Sequence, residues 1–182
     1  LIDGEDKFMV KRGLFVGRFQ PFHKGHLEAI KDALKEVDEL VVVVGSAQYS
    51  HRIDNPFTVG ERIAMIREAL EETKIPMARC WIIPVPDVHF HMLWVSEVVG
   101  YTPKFEVVYA NEPLTRRLFI EAGFKVKPVP FHKREVYSAT EIRKRMLSGE
   151  NWETLVPKSV AKLIEEIDGV QRLQDLTKTD KI

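Results

Sequence analysis

The run "ELVVVVG" at residues 39–45 constrains the fold more than any other stretch of the chain. Successive side chains of a strand point to opposite sides of a sheet, so four consecutive valines cannot sit on a strand with one wet face. A strand of this kind is buried on both faces, and helices must lie above and below it. The rest of the chain supplies them, because short β-branched runs alternate with longer segments whose apolar residues recur at i, i+3 and i+4. Strands are expected at 13–17, 39–45, 80–85, 105–110 and 125–130, and helices at 24–36, 58–72, 91–99 and 113–122. Thr58 and Glu61 have capping-box spacing at the start of the second helix, and Gly123 marks the end of the fourth. The pattern predicts an α/β, Rossmann-like doubly wound fold around a mostly parallel five-stranded sheet. From about residue 138 only helical patterns follow, "SATEIRKRMLSG" and "KSVAKLIEEIDG", which read as a C-terminal helical tail on the same domain. Met9 directly precedes "VKRGLFVG". Residues 1–8 therefore read as a tag remnant or an unaligned extension, residues 1–11 are left out of the fold, and 12–182 form a single domain.

Charge and composition narrow the partners. Lys+Arg and Asp+Glu both number 27, so no uniform positive field draws the protein onto nucleic acid or an anionic membrane. No apolar run approaches the roughly 18 residues of a membrane span, and the acidic start "LIDGEDKF" does not read as a signal peptide. The single cysteine, Cys80, cannot form an intramolecular disulfide, and its neighbours Trp81, Ile82 and Ile83 suggest a buried thiol in a reducing compartment. A cytoplasmic protein is expected, with any phosphate binding confined to a local site.

That site is expected in "GLFVGRFQPFHKGH", residues 13–26, where the first strand gives way to the first helix. In doubly wound sheets ligands bind beyond the carboxyl ends of the strands, where crossovers diverge. Gly17 lets the chain leave the strand tightly, Pro21 fixes a turn residue, and Gly25 and His26 fall in the first helical turn. Unpaired N–H groups and the helix dipole make that turn an anion site. The chain has neither a G-x-x-x-x-G-K-[ST] loop nor a G-x-G-x-x-G turn, so another device must hold the phosphate. His23 and His26, three apart, project to one side and can donate N–H bonds to phosphoryl oxygens. Two other readings stand beside this one: the pair could cap and pack a helix end, or ligate zinc. Zinc would need a third ligand, and His51, His89, His91 and His132 show no metal-site spacing.

"GRFQPFHKGH" resembles the H-x-G-H signature of the nucleotidyltransferase superfamily, and "YSATEIRKR" resembles its second signature, with Ser138, Thr140 and Arg143 opening a late helix. The "GRFQPFHxGH" form, with "VGSAQYSH", "NPFTVGER", "IIPVPD", "LWV" and "PLTRRLF", is similar to the archaeal-type nicotinamide-nucleotide adenylyltransferases from about residue 12 to 170. The resemblance implies transfer of an adenylyl group from ATP to nicotinamide mononucleotide (NMN), with NAD and pyrophosphate as products and Mg2+ accompanying ATP. Family members are commonly oligomeric, often hexameric, which implies a homo-oligomer here. Catalytic roles would fall to Arg18, His23, His26 and Arg143. ATP contacts would come from these four and from Gly17, Phe19, Gly25, Asn111, Ser138 and Thr140. No protein-bound metal is implied.

For the acceptor, the resemblance points to Asp87 and Trp94 in "PVPDVHFHMLWV", after the third strand. The nicotinamide ring is cationic and attracted to an indole face. A core role for Trp94 and a helix-cap role for Asp87 remain as alternatives. Two departures from the family pattern stand out: Asn111 is followed by Glu112 where many members read Gly-Asn-Pro, and Asp54 and Asn55 precede Pro56 where some relatives carry an arginine, the nearest here being Arg52. The signatures describe the ATP half of the site, so flavin mononucleotide or phosphopantetheine are alternative acceptors, and a nucleotide-sensing regulator is an alternative from another class.

Overall fold

The computed structural model describes residues 10–130 and 136–178. His132 and residues 1–9 of the proposed 1–11 extension lie outside them. Five strands alternate with helices: β1 (Arg12–Gly17), α1 (Lys24–Ala33), β2 (Glu39–Val44), α2 (Val59–Glu72), β3 (Cys80–Pro84), α3 (His91–Tyr101), β4 (Val107–Tyr109), α4 (Pro113–Glu121) and β5 (Lys125–Lys127). Three further helices follow, α5 (Ala139–Ser148), α6 (Lys158–Glu166) and α7 (Gly169–Thr177).

The sheet order is β3-β2-β1-β4-β5, and all four strand pairs are parallel rather than mostly so. From β1 the chain moves outward to β2 and β3, then returns to lay β4 on the other side of β1. The crossovers therefore diverge between β1 and β4.

The valine run behaves as strand alternation requires. Leu40, Val42 and Val44 enter one apolar cluster with residues of α1, α2 and the helical tail, whereas Val41 and Val43 enter a second with Val95, Val98 and Phe119 of α3 and α4. All five β2 residues from Leu40 to Val44 are fully buried, each contributing on the order of 1.5–3 kcal/mol relative to exposure. Ile142, Met146, Ile164 and Leu173 place α5, α6 and α7 on the first cluster, as expected of the tail. Cys80 is buried and unpaired, and burial pushes its thiol up to about 11.

Several boundaries differ from the sequence reading. β5 covers 125–127 instead of 125–130 because Pro128 has no N–H for the ladder. β4 is trimmed from 105–110 to 107–109, although Phe105 and Ala110 stay buried beside it. α1 stops at Ala33 rather than near 36, since Lys35 and Glu36 donate to carbonyls three residues back in a tightened last turn. α3 continues to Tyr101 and ends where Pro103 restrains Thr102.

Candidate active site

Gly17 ends β1, and a Cβ there would lie 2.7 Å from the Phe19 ring. Its smallness lets Phe19, at φ +53°, fold its ring under the turn. Phe19 is 1% exposed and its ring is core, which leaves its backbone for the expected ATP contact. It meets the His26 ring edge-on at 4.8 Å and so supports that histidine from below.

His23 and His26 form a reciprocal capping box at the start of α1. The His26 backbone N–H donates to His23 Nδ1 (3.3 Å), and the His23 backbone N–H donates to His26 Nδ1 (3.2 Å). The two rings stack with centroids 3.5 Å apart. The capping reading and the phosphate reading are thus compatible, because capping consumes only the Nδ1 lone pairs. A neutral imidazole whose Nδ1 accepts must carry its proton on Nε2, so each ring keeps one Nε2–H to donate. Both rings are neutral at pH 7: burial lowers His23 to about 3, and burial followed by the neighbouring His23 holds His26 well below the usual histidine value. Among the described residues no three histidine, cysteine or carboxylate side chains gather as a metal cage.

The second signature docks onto the same turn. Ser138 caps α5 by accepting from the Glu141 N–H (3.1 Å), and Thr140 is exposed in the first helical turn. Arg143 is partly buried rather than solvated, and its Nη1 donates to the Gln20 carbonyl (2.7 Å). Lys144 is exposed, and Arg145 pairs with Glu141. Burial, then repulsion from Arg18, lowers the Arg143 pKa against the pull of Asp54, so the two arginines share one electrostatic neighbourhood. Arg18 itself is exposed and lies 3.6 Å from Asp54, which also lies 3.6 Å from Arg52.

Two adjoining basins open at the carboxyl ends of the strands. The smaller, about 220 Å³, is lined by His23, Gly25, His26, Asn111 and Tyr137 among others. The larger, about 690 Å³, is lined by Gly17, Arg18, Ser46, Asp87, His91 and Trp94 among others. Val16, Glu112 and Thr115 belong to both and form the ridge between them. Ser138, Thr140 and Arg143 line neither basin; Arg143 is tied to the turn that carries Arg18 through the Gln20 carbonyl.

Three expected ligand contacts have structural partners. Asn111 spends both ends of its amide on Val129, donating to its carbonyl (2.7 Å) and accepting from its N–H (2.9 Å), so it ties β4 to the chain beyond β5. Asp87 is not a helix cap, since Phe90 occupies that position of α3. Its carboxylate instead accepts from the Ser46 hydroxyl (2.7 Å) and N–H (3.3 Å). Trp94 takes part in both alternatives: it packs edge-on against Phe119 at 5.8 Å and also lines the larger basin. Its indole N–H is buried and meets no acceptor among the described residues.

The sequence reading missed Arg62, Gln20, Glu112 and Tyr137. Glu112 caps α4, accepting from the N–H groups of Leu114 (3.0 Å) and Thr115 (2.6 Å). Burial raises its pKa, but these bonds outweigh burial and leave it lowered. Gln20 pairs with the Phe57 N–H and carbonyl, both at 2.9 Å, like one rung of a ladder. Arg62 is fully buried on α2 and donates to the carbonyls of Arg18 (2.9 Å), Gly45 (2.8 Å) and Ser46 (3.1 Å). The one available signal was its spacing: it falls on the apolar stripe of α2 with Met65, Ile66 and Ala69.

The cytidylyltransferase-like family model matches residues 14–145. The nicotinamide-nucleotide adenylyltransferase of Archaeoglobus fulgidus is 51% identical over 172 residues, covering 93% of this chain and 99% of that protein. The enzyme of the same name from Saccharolobus solfataricus is also 51% identical, covering 94% and 100%. A bifunctional NMN adenylyltransferase/ADP ribose pyrophosphatase from Francisella tularensis superposes with a TM-score of 0.77 at 26% identity, covering 92% of this chain. The present chain spans about half of that bifunctional protein, 52%. A second structure of it, complexed with AMP and a manganese ion, gives a TM-score of 0.75 at 27% identity.

Proposed function

We infer the reaction from a chain that belongs to the cytidylyltransferase-like family and, within it, to the archaeal-type nicotinamide-nucleotide adenylyltransferases. It is a nucleotidyltransferase that joins NMN to ATP, giving NAD and pyrophosphate. The observation that carries the mechanism is the pair of basins meeting over one ridge beside the histidine pair. ATP places its adenosine in the smaller basin and its phosphates along the turn, and NMN enters the larger basin.

The NMN phosphate attacks the α-phosphorus of ATP in line, the bond to the β-phosphate oxygen breaks, and pyrophosphate departs. The nucleophile is already ionised at pH 7, so no general base is needed and the chain's work is positioning and charge stabilisation. The Nε2–H groups of His23 and His26 donate to the phosphate bend; their fixed tautomer and neutral state support this role. Arg18 holds phosphates at the mouth of the turn, and Arg143 with Ser138 and Thr140 receives the β- and γ-phosphates. A planar, always charged guanidinium suits a leaving pyrophosphate. Asn111 is held by Val129 at the wall of the adenosine basin, which leaves its second amide hydrogen and second oxygen lone pair for ATP. Trp94 stacks on the nicotinamide ring from the wall of the larger basin. Asp87 orders the Ser46 loop at the wall of the same basin.

A divalent ion belongs to the reaction, and we take it to be Mg2+ arriving on ATP. The donor set fits an ion held mainly by phosphate oxygens, with Asp54 the nearest carboxylate to Arg18. Such an ion would supply neutralisation of phosphate charge. The same reading includes one domain over 12–182, a cytoplasmic setting and a homo-oligomer. No helix among the described residues is long and apolar enough to cross a membrane. The exposed apolar residues of α3, Met92, Leu93, Val99 and Tyr101, support self-association. Incubation with ATP, Mg2+ and a panel of mononucleotides tests the function by pyrophosphate release. NMN is expected to be the best acceptor; faster turnover of flavin mononucleotide or phosphopantetheine overturns the assignment.

A further inference from the structure

We propose that Arg62 is a positioning residue that sets the spacing between the ATP half-site and the NMN half-site. Its guanidinium lies at the carboxyl ends of the neighbouring strands β1 and β2 and draws together carbonyls from the two loops that follow them. One is the Arg18 carbonyl, in the turn that carries the phosphate-binding groups. The others are the Gly45 and Ser46 carbonyls, at the end of β2, where Ser46 also holds Asp87 at the wall of the NMN basin.

Each loop contains a residue in the left-handed region that non-glycine residues seldom adopt: Phe19 at φ +53°, directly after Arg18, and Ser46 at φ +50°. Such conformations persist only where surrounding contacts fix them, and in both loops a contact is an Arg62 N–H. The fourth bond, Nε to the Thr58 carbonyl (3.3 Å), anchors the guanidinium to its own helix. Arg62 is 0% exposed, so it cannot itself touch a substrate. No carboxylate forms an ion pair with it among the described residues. A buried arginine satisfied by three carbonyls of two loops is a rigid three-point clamp, and a lysine ammonium, with neither the fork nor the planarity, cannot reproduce it.

The proposal rests on the assignment of the two basins to ATP and NMN, and the test separates the two. In wild-type protein, calorimetry should detect ATP, NMN and NAD each binding; failure of ATP or NMN to bind refutes the basin assignment, independently of Arg62. In Arg62→Lys, ATP and NMN bound singly should keep affinities within about 3-fold of wild type, since each half-site survives. NAD, which must span both, should bind at least roughly 10-fold more weakly because correct spacing sets the effective concentration of its second half. The kcat should fall about 10²-fold, the usual consequence of misplacing reacting groups by about 1 Å. A folded Arg62→Lys with normal NAD affinity and kcat overturns the proposal. So do equal losses for ATP, NMN and NAD, which would mark a merely structural arginine. Should the variant not fold, the 15N guanidinium resonance of Arg62 in wild-type protein decides: it should shift with ATP alone and with NMN alone, and response to only one or to neither overturns the proposal.

Discussion

Lowering the pH from 7 to 5 should destabilise this protein through His23, and the amount can be worked from its burial. The unfolded side chain has a pKa of 6.5, and the folded one about 3. At pH 5 the unfolded state therefore holds almost one proton that the folded state refuses. A folded-state pKa below the unfolded value means that stability is complete above 6.5 and drains as pH falls from 6.5 towards 3. Between pH 7 and 5 the loss is about 2 kcal/mol for His23 alone, at 1.36 kcal/mol per unit. His26 acts in the same direction. Urea denaturation at pH 7, 6 and 5 measures it, with His23→Asn as the reference variant, because asparagine can still cap α1 but does not titrate. Carboxylates held low by their partners, such as Glu61 and Glu141, lose stability only nearer their ordinary value of 4.5, and they cancel in the comparison. The stability advantage of wild type over His23→Asn should shrink by about 2 kcal/mol between pH 7 and 5. An advantage that does not change with pH would refute the neutral, buried histidine pair.

His26→Ala should lower kcat by roughly 10²- to 10³-fold in a folded protein, the usual consequence of losing one preorganised donor to a charged transition state; near-normal kcat would leave the ring with packing alone. Arg143→Ala should raise the KM for ATP and weaken pyrophosphate inhibition while sparing NMN, and a defect confined to NMN would place it in the wrong half-site. Trp94→Ala should raise the NMN KM roughly 10-fold, the combined effect of lost cation–π and apolar contact, and also lower the melting temperature because Phe119 loses its neighbour. Trp94→Phe should recover most of the melting temperature and part of the KM; a thermal shift with no selective change for NMN would sink the stacking role.

The fold was legible because its strongest signals are local. The valines of β2 announce burial on both faces, and Thr58 with Glu61 caps α2 as the spacing predicts, Thr58 N–H to Glu61 at 2.8 Å. The histidine pair was legible as chemistry, but its tautomer was not, since that depends on which ring nitrogen each backbone N–H meets. The partner of Asn111 was not legible, because Val129 lies 18 residues away across a strand pair. Phe19 sits inside the motif, yet the close approach permitted by Gly17 turns its ring inward. Arg62 was hidden for the opposite reason: an arginine in "GERIAMI" reads as a solvated helix charge unless its place on the apolar stripe is noticed.

Glu61 has a second partner beyond its own helix start. Arg172 of α7 grips it with two parallel bonds, Nη1 at 2.7 Å and Nη2 at 2.8 Å, and also donates to the Pro56 carbonyl. One residue further along α2 stands Arg62. The last helix, α7, which carries none of the reacting groups, is thus braced against the same helix turn from which the active-site floor is suspended. A force or a cut applied to the last helix would travel through Glu61 to the strand ends, so the tail works as a buttress, and its length is not free to drift as that of a surface ornament would be.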